Sequence, residues 1–151
     1  MGRSPGPSDS EVHHELWQLP IRLAAGAYVL NSGLSKRGIP DEAAAGMHGM
    51  ASGAFPQFSS MEPQEFVKQL STGEIALGTA LLLPFLPAGL VGAALSAFGA
   101  GMVRLYLKTP GMTDESGIRP TPDGIGLAKD VWLFAIGLAL LIDALSDQPR
   151  D

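Results

Sequence analysis

Residues 71–108 read STGEIALGTALLLPFLPAGLVGAALSAFGAGMVRLYLK, two long apolar runs joined by the short turn PFLP. No charged residue occurs between Glu74 and Arg104. Apolar runs of this length that are rich in Ala and Leu predict helices rather than strands. Each run is close to the ~20 residues that a helix needs to cross the hydrocarbon core of a bilayer. The short turn predicts that the two helices lie side by side and antiparallel.

Two further segments have the same character, so the sequence predicts an all-α fold, an integral membrane four-helix up-and-down bundle over residues 16–146. The helices are predicted at about 16–36, 66–86, 88–108 and 126–145, with a loop insert at 37–65. Residues 1–15 are polar and lack the apolar core of a signal peptide, which predicts a flexible N-terminal segment. Residues 147–151 form a predicted C-terminal tail.

The composition is ambiguous and does not exclude a membrane protein. The chain is 46% hydrophobic, only 17% of its residues are charged, and it contains 19 glycines. Gly is more frequent in transmembrane helices than in soluble ones. A soluble helical bundle is the alternative, but the segment 131–142 is apolar on all sides. A helix at the surface of a soluble bundle would have a polar face.

Several function classes are disfavoured by residue type. The net charge is −5 and no basic run occurs, so the sequence has no basic patch of the kind that binds nucleic acid. The chain has no cysteine for disulfides or thiol chemistry. The histidines, His13, His14 and His48, lie outside the predicted spans, where they cannot ligate a haem inside the membrane. We therefore expect no covalently bound or metal-ligated cofactor, while contact with a quinone or a lipid stays open.

Charged side chains within or beside the spans are the candidate site residues, because such groups are costly in a membrane and normally face the bundle interior in pairs. They are Arg22, Lys36, Glu74, Arg104, Lys129, Asp130 and Asp143. Their depth along the helices predicts that Arg22 pairs with Asp143. It also predicts that Glu74 meets either Arg104 or Lys36. Glu74 is then either a structural counter-ion or a group that handles protons or a polar head group.

The third segment carries small residues at regular spacing. One row at four-residue steps comprises Gly89, Ala93, Ala97 and Gly101, and the adjacent row comprises Gly92, Ser96 and Ala100. Rows of small residues let membrane helices approach closely. The alternative is an alanine-rich helix without a special contact. We expect this helix to be central to the packing, with the first row at the interface.

The insert at 37–65 contains a group of Met and Phe side chains. They are Met47, Met50, Phe55, Phe58 and Met61, with His48 among them. The sequence predicts a loop that packs over its own bundle, with His48 at the surface. Docking on a membrane or on a partner is the alternative.

Four features together resemble the DoxX-like family of small four-helix bacterial membrane proteins. They are Arg22, NSGLSK at 31–36, GEIALGTALLL at 73–83 and KDVWLFAIGLALL at 129–141. The resemblance covers residues 19–143 and implies a four-helix bundle in the bacterial inner membrane. It also implies an association with respiratory systems, such as thiosulfate:quinone oxidoreductase and terminal oxidase complexes.

From this resemblance we expect a non-catalytic accessory or assembly subunit of a respiratory complex of the cytochrome oxidase supercomplex type. Its partners are then the subunits of that complex and lipids. The alternative is a quinone-linked membrane oxidoreductase subunit, in which the polar layer around Glu74 and Arg104 contacts the quinone. A small transporter is a third possibility.

The distribution of basic residues predicts the orientation. The two long loops carry Lys36, Arg37, Lys108 and Arg119, against Arg3 and Arg150 on the terminal side. Cytoplasmic loops carry an excess of Lys and Arg. Both termini are therefore expected on one side, with the long loops in the cytoplasm.

Overall fold

The computed structural model describes residues 16–146, and within that range the chain is helical and contains no strand. The all-α prediction is confirmed for this part of the chain. The predicted flexible segment 1–15 and the predicted tail 147–151, which include Arg3 and Arg150, lie outside the described residues.

The helices follow one another with mostly short connections. They are α1 (Gln18–Ser35), α2 (Asp41–Ala54), α3 (Pro63–Leu82), α4 (Ala88–Lys108), α5 (Ile125–Ala128) and α6 (Val131–Ser146). Helices α1, α3 and α4 and the consecutive helices α5 and α6 correspond to the four predicted segments. Helix α3 ends before the predicted boundary, since Leu83 has an extended backbone ahead of Pro84. Proline disfavours helical geometry in the residue before it.

The prediction of a loop at 37–65 is wrong, because this stretch contains α2 and a 3₁₀ helix, Pro56–Phe58. Asp41 and Glu42 stand in the first turn of α2, where negative charge stabilises a helix start. Ala44 and Ala51 of α2 are buried against Phe66 of α3. The insert is therefore a helix packed on the other helices.

The long helices are arranged as two closely packed pairs, α1 with α3 and α4 with α6. The pairs meet in a core that includes Val29, Leu81, Leu95 and Leu140. At one end of the helices Gln18 Nε2 donates a hydrogen bond to Asp143 Oδ2 at 2.7 Å. The start of α1 and the end of α6 therefore lie side by side.

Two helical stretches are long and apolar enough to cross a membrane, Ala88–Lys108 and Ile125–Ser146. Only 28% and 22% of the residues in their most apolar windows are buried. Leu90, Trp132 and Ile142 are examples of large apolar side chains that are more than half exposed. A core helix of a soluble protein would bury such side chains, so this surface weakly indicates a membrane location.

The contact between α4 and α6 is built on small residues. Gly92, Ser96 and Gly99 of α4 are buried there, and Gly137 of α6 faces them. A Cβ added at Gly99 would collide with the backbone of Phe134. Only glycine therefore permits this approach of the two backbones.

The row of small residues predicted to lie at the interface, which begins at Gly89, is not the row that forms the contact with α6. Ala93 and Ala97 are exposed, and Gly89 and Gly101 are only partly buried. The adjacent row supplies Gly92 and Ser96 instead. Four-residue spacing identifies rows on a helix, but the two rows differ by a rotation that spacing does not determine.

We expect Gly99→Ala to lower the free energy of unfolding by about 1 to 3 kcal/mol, because an added methyl group forces α4 and α6 apart. Gly73→Ala in α3 is the matched control, since a Cβ there meets no atom within 4 Å. Alanine has a greater helix propensity than glycine, so this control variant should be slightly more stable than the unchanged protein. Thermal unfolding in detergent measures both, and a Gly99→Ala protein as stable as the control would contradict the close packing.

Candidate functional site

A cavity of about 320 Å³ lies where α1, α2, α3, α4 and the α5–α6 region meet. Its walls are mostly apolar, with examples in Met50 of α2, Phe66 of α3, and Phe98 and Met102 of α4. A concave, largely apolar space with a few polar groups is the usual form of a small-molecule site. The cavity is therefore the candidate site of this protein.

One face of α1 supplies polar groups to this cavity. Tyr28, Ser32 and Lys36 follow one another at four-residue steps and all line it. Residues at this spacing share a helix face. Of the three, only Lys36 is predicted from the sequence as a site residue. The spacing of Tyr28 and Ser32 from Lys36 places them on the same helix face and was an available signal.

Glu74 of α3 faces this side of α1 and is 3% exposed. Its Oε1 accepts hydrogen bonds from Lys36 Nζ at 3.1 Å and from Ser32 Oγ at 3.2 Å. Lys36 Nζ also lies 2.9 Å from Oε2, which is an ion-pair distance. The Lys36 ammonium is therefore shared between the two oxygens of a carboxylate that is itself buried. The cavity wall thus holds a buried ion pair.

Of the two predicted partners of Glu74, the structure selects Lys36. Arg104 lies elsewhere, with its Nε donating to the backbone carbonyl of Ala54 at 2.9 Å. Its guanidinium also lies over the ring of Phe55, 5.2 Å from the centroid. Arg104 therefore joins α4 to the end of α2 and does not line the cavity.

A second carboxylate reaches the cavity from the junction of α5 and α6. Asp130 is 6% exposed, and its Oδ1 accepts a hydrogen bond from Tyr28 at 3.3 Å. The neighbouring Lys129 is exposed and does not line the cavity. Of this adjacent pair of predicted residues, Asp130 alone belongs to the site.

The predicted pair of Arg22 and Asp143 is wrong. The Arg22 guanidinium donates to backbone carbonyls at the end of α3 and in the following turn, those of Ala80, Leu81, Leu83 and Leu86. Asp143 accepts its hydrogen bond from Gln18. The last carbonyls of a helix have no partner within the helix, so they attract a cation. Arg22 thus caps α3.

Within residues 16–146 no three His, Cys, Asp or Glu side chains are grouped so as to hold a metal. The polar groups of the cavity bond to one another: Tyr28 donates to Asp130, Ser32 donates to Glu74, and Lys36 donates to Ser32 and Glu74. A polar head on an apolar body would compete for these bonds, of which the 3.3 Å contact from Tyr28 to Asp130 is the longest.

Comparisons with family models, with curated proteins and with solved structures find no match to this chain. The resemblance to the DoxX-like family stays a prediction. The function is therefore inferred from the geometry of the cavity and from the apolar surface of the helices.

Proposed function

We propose that the protein is a multi-pass protein of the bacterial inner membrane, in which α1, α3, α4 and the α5–α6 stretch cross the bilayer as an up-and-down bundle. Helices α1 and α3 have 18 and 20 residues. At 1.5 Å per residue they are about 27 and 30 Å long, close to the thickness of the hydrocarbon core. Their outward side chains include the exposed Leu19 and Leu23, which suit contact with lipid.

We infer that the protein is an accessory subunit of a respiratory complex and that its cavity binds the head group of a membrane quinone. The observation that carries this proposal is the set of polar groups in an otherwise apolar cavity. Tyr28 can turn its hydroxyl from Asp130 to a carbonyl oxygen of a quinone, and the Asp130 carboxylate can then accept from a quinol hydroxyl. Phe66 and Phe98 pack against the ring. The chain binds the quinone, and its partner complex transfers the electrons.

A quinone-linked oxidoreductase subunit is the second candidate, and the presence of two carboxylates in the cavity favours it. Oxidation of a quinol releases two protons and two electrons. Glu74 and Asp130 are bases that can take up the protons. The electrons then need an acceptor in another subunit. Quinol-dependent turnover by a complex that loses activity with Asp130→Asn would support this candidate.

The first test of the cavity is binding of a short-chain quinone to the purified protein in detergent. We expect saturable binding that becomes about fivefold weaker in Tyr28→Phe, because a hydrogen bond is worth about 1 kcal/mol and 1.4 kcal/mol corresponds to a factor of ten. Tyr106→Phe is the matched control, since Tyr106 bonds to the carbonyl of Ile118 and does not line the cavity. Thermal unfolding of both variants separates lost binding from lost folding.

Two results would contradict the quinone proposal. One is an absence of saturable binding to the unchanged protein. The other is an equal loss of affinity in Tyr28→Phe and Tyr106→Phe. Purification from native membranes tests the accessory role, for which co-migration with oxidase subunits is the expected result.

A further inference from the structure

A second groove, of about 300 Å³, lies at the surface between the end of α1 and the start of α3. Three of its lining residues are basic, Lys36, Arg37 and Lys68, and one is acidic, Glu65. Lys36 separates the groove from the cavity and is already paired with Glu74. The groove therefore has an excess of positive charge, from Arg37 and Lys68.

Arg37 is held in place through one nitrogen. Its Nε donates to Ser71 Oγ at 3.1 Å, and Ser71, which is 1% exposed, donates to the carbonyl of Gly33 at 2.7 Å. The Nη groups of Arg37 have no acceptor among the described residues. A guanidinium oriented in this way presents its remaining donors in a planar fork, which matches two phosphate oxygens.

Lys68 also lacks an ion-pair partner within residues 16–146. The acidic residue that lines the groove, Glu65, accepts a hydrogen bond from Gln69 Nε2 at 3.0 Å. The Gln64 amide is engaged with Ile39 and with Asp41. The ammonium group of Lys68 is thus a second cation that the protein leaves without a counter-ion.

Arg37 follows the end of α1, and Lys68 lies in the second turn of α3, which begins at Pro63. In the membrane arrangement proposed above, this level corresponds to the lipid head groups. Anionic head groups attract basic side chains near the membrane surface. We propose that the groove binds the phosphate group of an anionic phospholipid, with Arg37 and Lys68 as its ligands.

The assignment of the phosphate to a lipid rests on the proposed membrane function. The recognition of phosphate itself rests only on Arg37 and Lys68. The experiment therefore has two arms on the full chain in detergent. One adds phosphatidylglycerol or phosphatidylcholine and counts bound lipids by native mass spectrometry. The other adds inorganic phosphate and measures its binding and its displacement of the lipid.

We expect binding of phosphatidylglycerol in preference to phosphatidylcholine, and an affinity about tenfold weaker in Arg37→Gln and in Lys68→Gln. Lys68 makes no side-chain hydrogen bond within the described residues, so its variant cannot act through a broken internal contact. Lys108→Gln is the matched control, because Lys108 is an exposed lysine at the same end of the helices and outside the groove. This variant should bind as the unchanged protein does.

Equal affinity for the two lipids would overturn the proposal, as would a loss in Lys108→Gln as large as that in Lys68→Gln. Tight binding of inorganic phosphate that excludes the lipid would show that the phosphate does not come from a lipid. The phosphate site itself would then still stand. Release of the protein from membranes by alkaline carbonate would refute the membrane function. The phosphate arm tests the groove independently of that result.

Discussion

Replacing Glu74 by glutamine is expected to lower the free energy of unfolding by about 3 to 5 kcal/mol. The variant leaves the Lys36 ammonium charged without its carboxylate, in a position where the Lys36 side chain is 14% exposed. A charge without a partner in such surroundings is costly, whereas removal of both charges can be nearly neutral. Glu74→Gln combined with Lys36→Met should therefore recover much of the loss. Thermal unfolding in detergent of the single and double variants measures this coupling.

The matched control is Glu74→Gln combined with Arg104→Gln. Arg104 is bonded to Ala54 and not to Glu74, so this double variant should recover nothing. Recovery with Arg104→Gln but not with Lys36→Met would contradict the observed pairing. A Glu74→Gln protein that keeps full stability but no longer binds quinone would assign Glu74 to the ligand instead of to the fold.

Replacing Arg22 by glutamine should lower the free energy of unfolding by at least about 3 kcal/mol, because hydrogen bonds to a charged group contribute about 1.5 to 3 kcal/mol each. Arg22 is 4% exposed and donates to Leu83 at 2.7 Å and to Leu81 and Leu86 at 3.1 Å. Without it the carbonyls of Leu81 and Leu86 lose their donor and that of Leu83 keeps only the N–H of Leu86, which is especially costly where water is scarce. Thermal unfolding of the purified variant measures the loss.

Two comparisons show whether this loss comes from the cap of α3. Arg119→Gln is the control for loss of an arginine, because its side chain is 82% exposed and should change stability little. Asp143→Asn should also cost little, since an amide oxygen can still accept from Gln18. A loss in Asp143→Asn equal to that in Arg22→Gln would indicate an ion pair between the two residues and would contradict the observed cap.

The existence of most helices could be predicted, because a long apolar run has few other ways to satisfy its backbone. Helix α2 could not be recognised from its composition. Gly46, Gly49 and Gly53 lower its helix propensity by about 1 kcal/mol each relative to alanine. The start signal was nevertheless present in Asp41 and Glu42 after Pro40. Packing of α2 on Phe66 and its neighbours outweighs the weak local propensity.

The candidate cavity was only partly predictable. Glu74, Lys36 and Asp130 are exceptional as charges in or beside apolar segments, so the sequence identifies them. Tyr28 and Ser32 belong to the same site, but each is an ordinary residue in a helix. Only the approach of α3 and of the α5–α6 region to one face of α1 brings these groups together.

The sequence by itself determined that the four long apolar segments are helical and at what height each of their charged residues lies, because a helix rises by a constant 1.5 Å per residue. Tertiary structure decided the partners. A helix can present any of its faces to a neighbour, and the face is selected where the backbones approach most closely. Gly78 against Leu30 and Gly99 against Phe134 are two such approaches. These contacts set the rotation of each helix, which directs Glu74 to Lys36 and Arg22 to the end of α3.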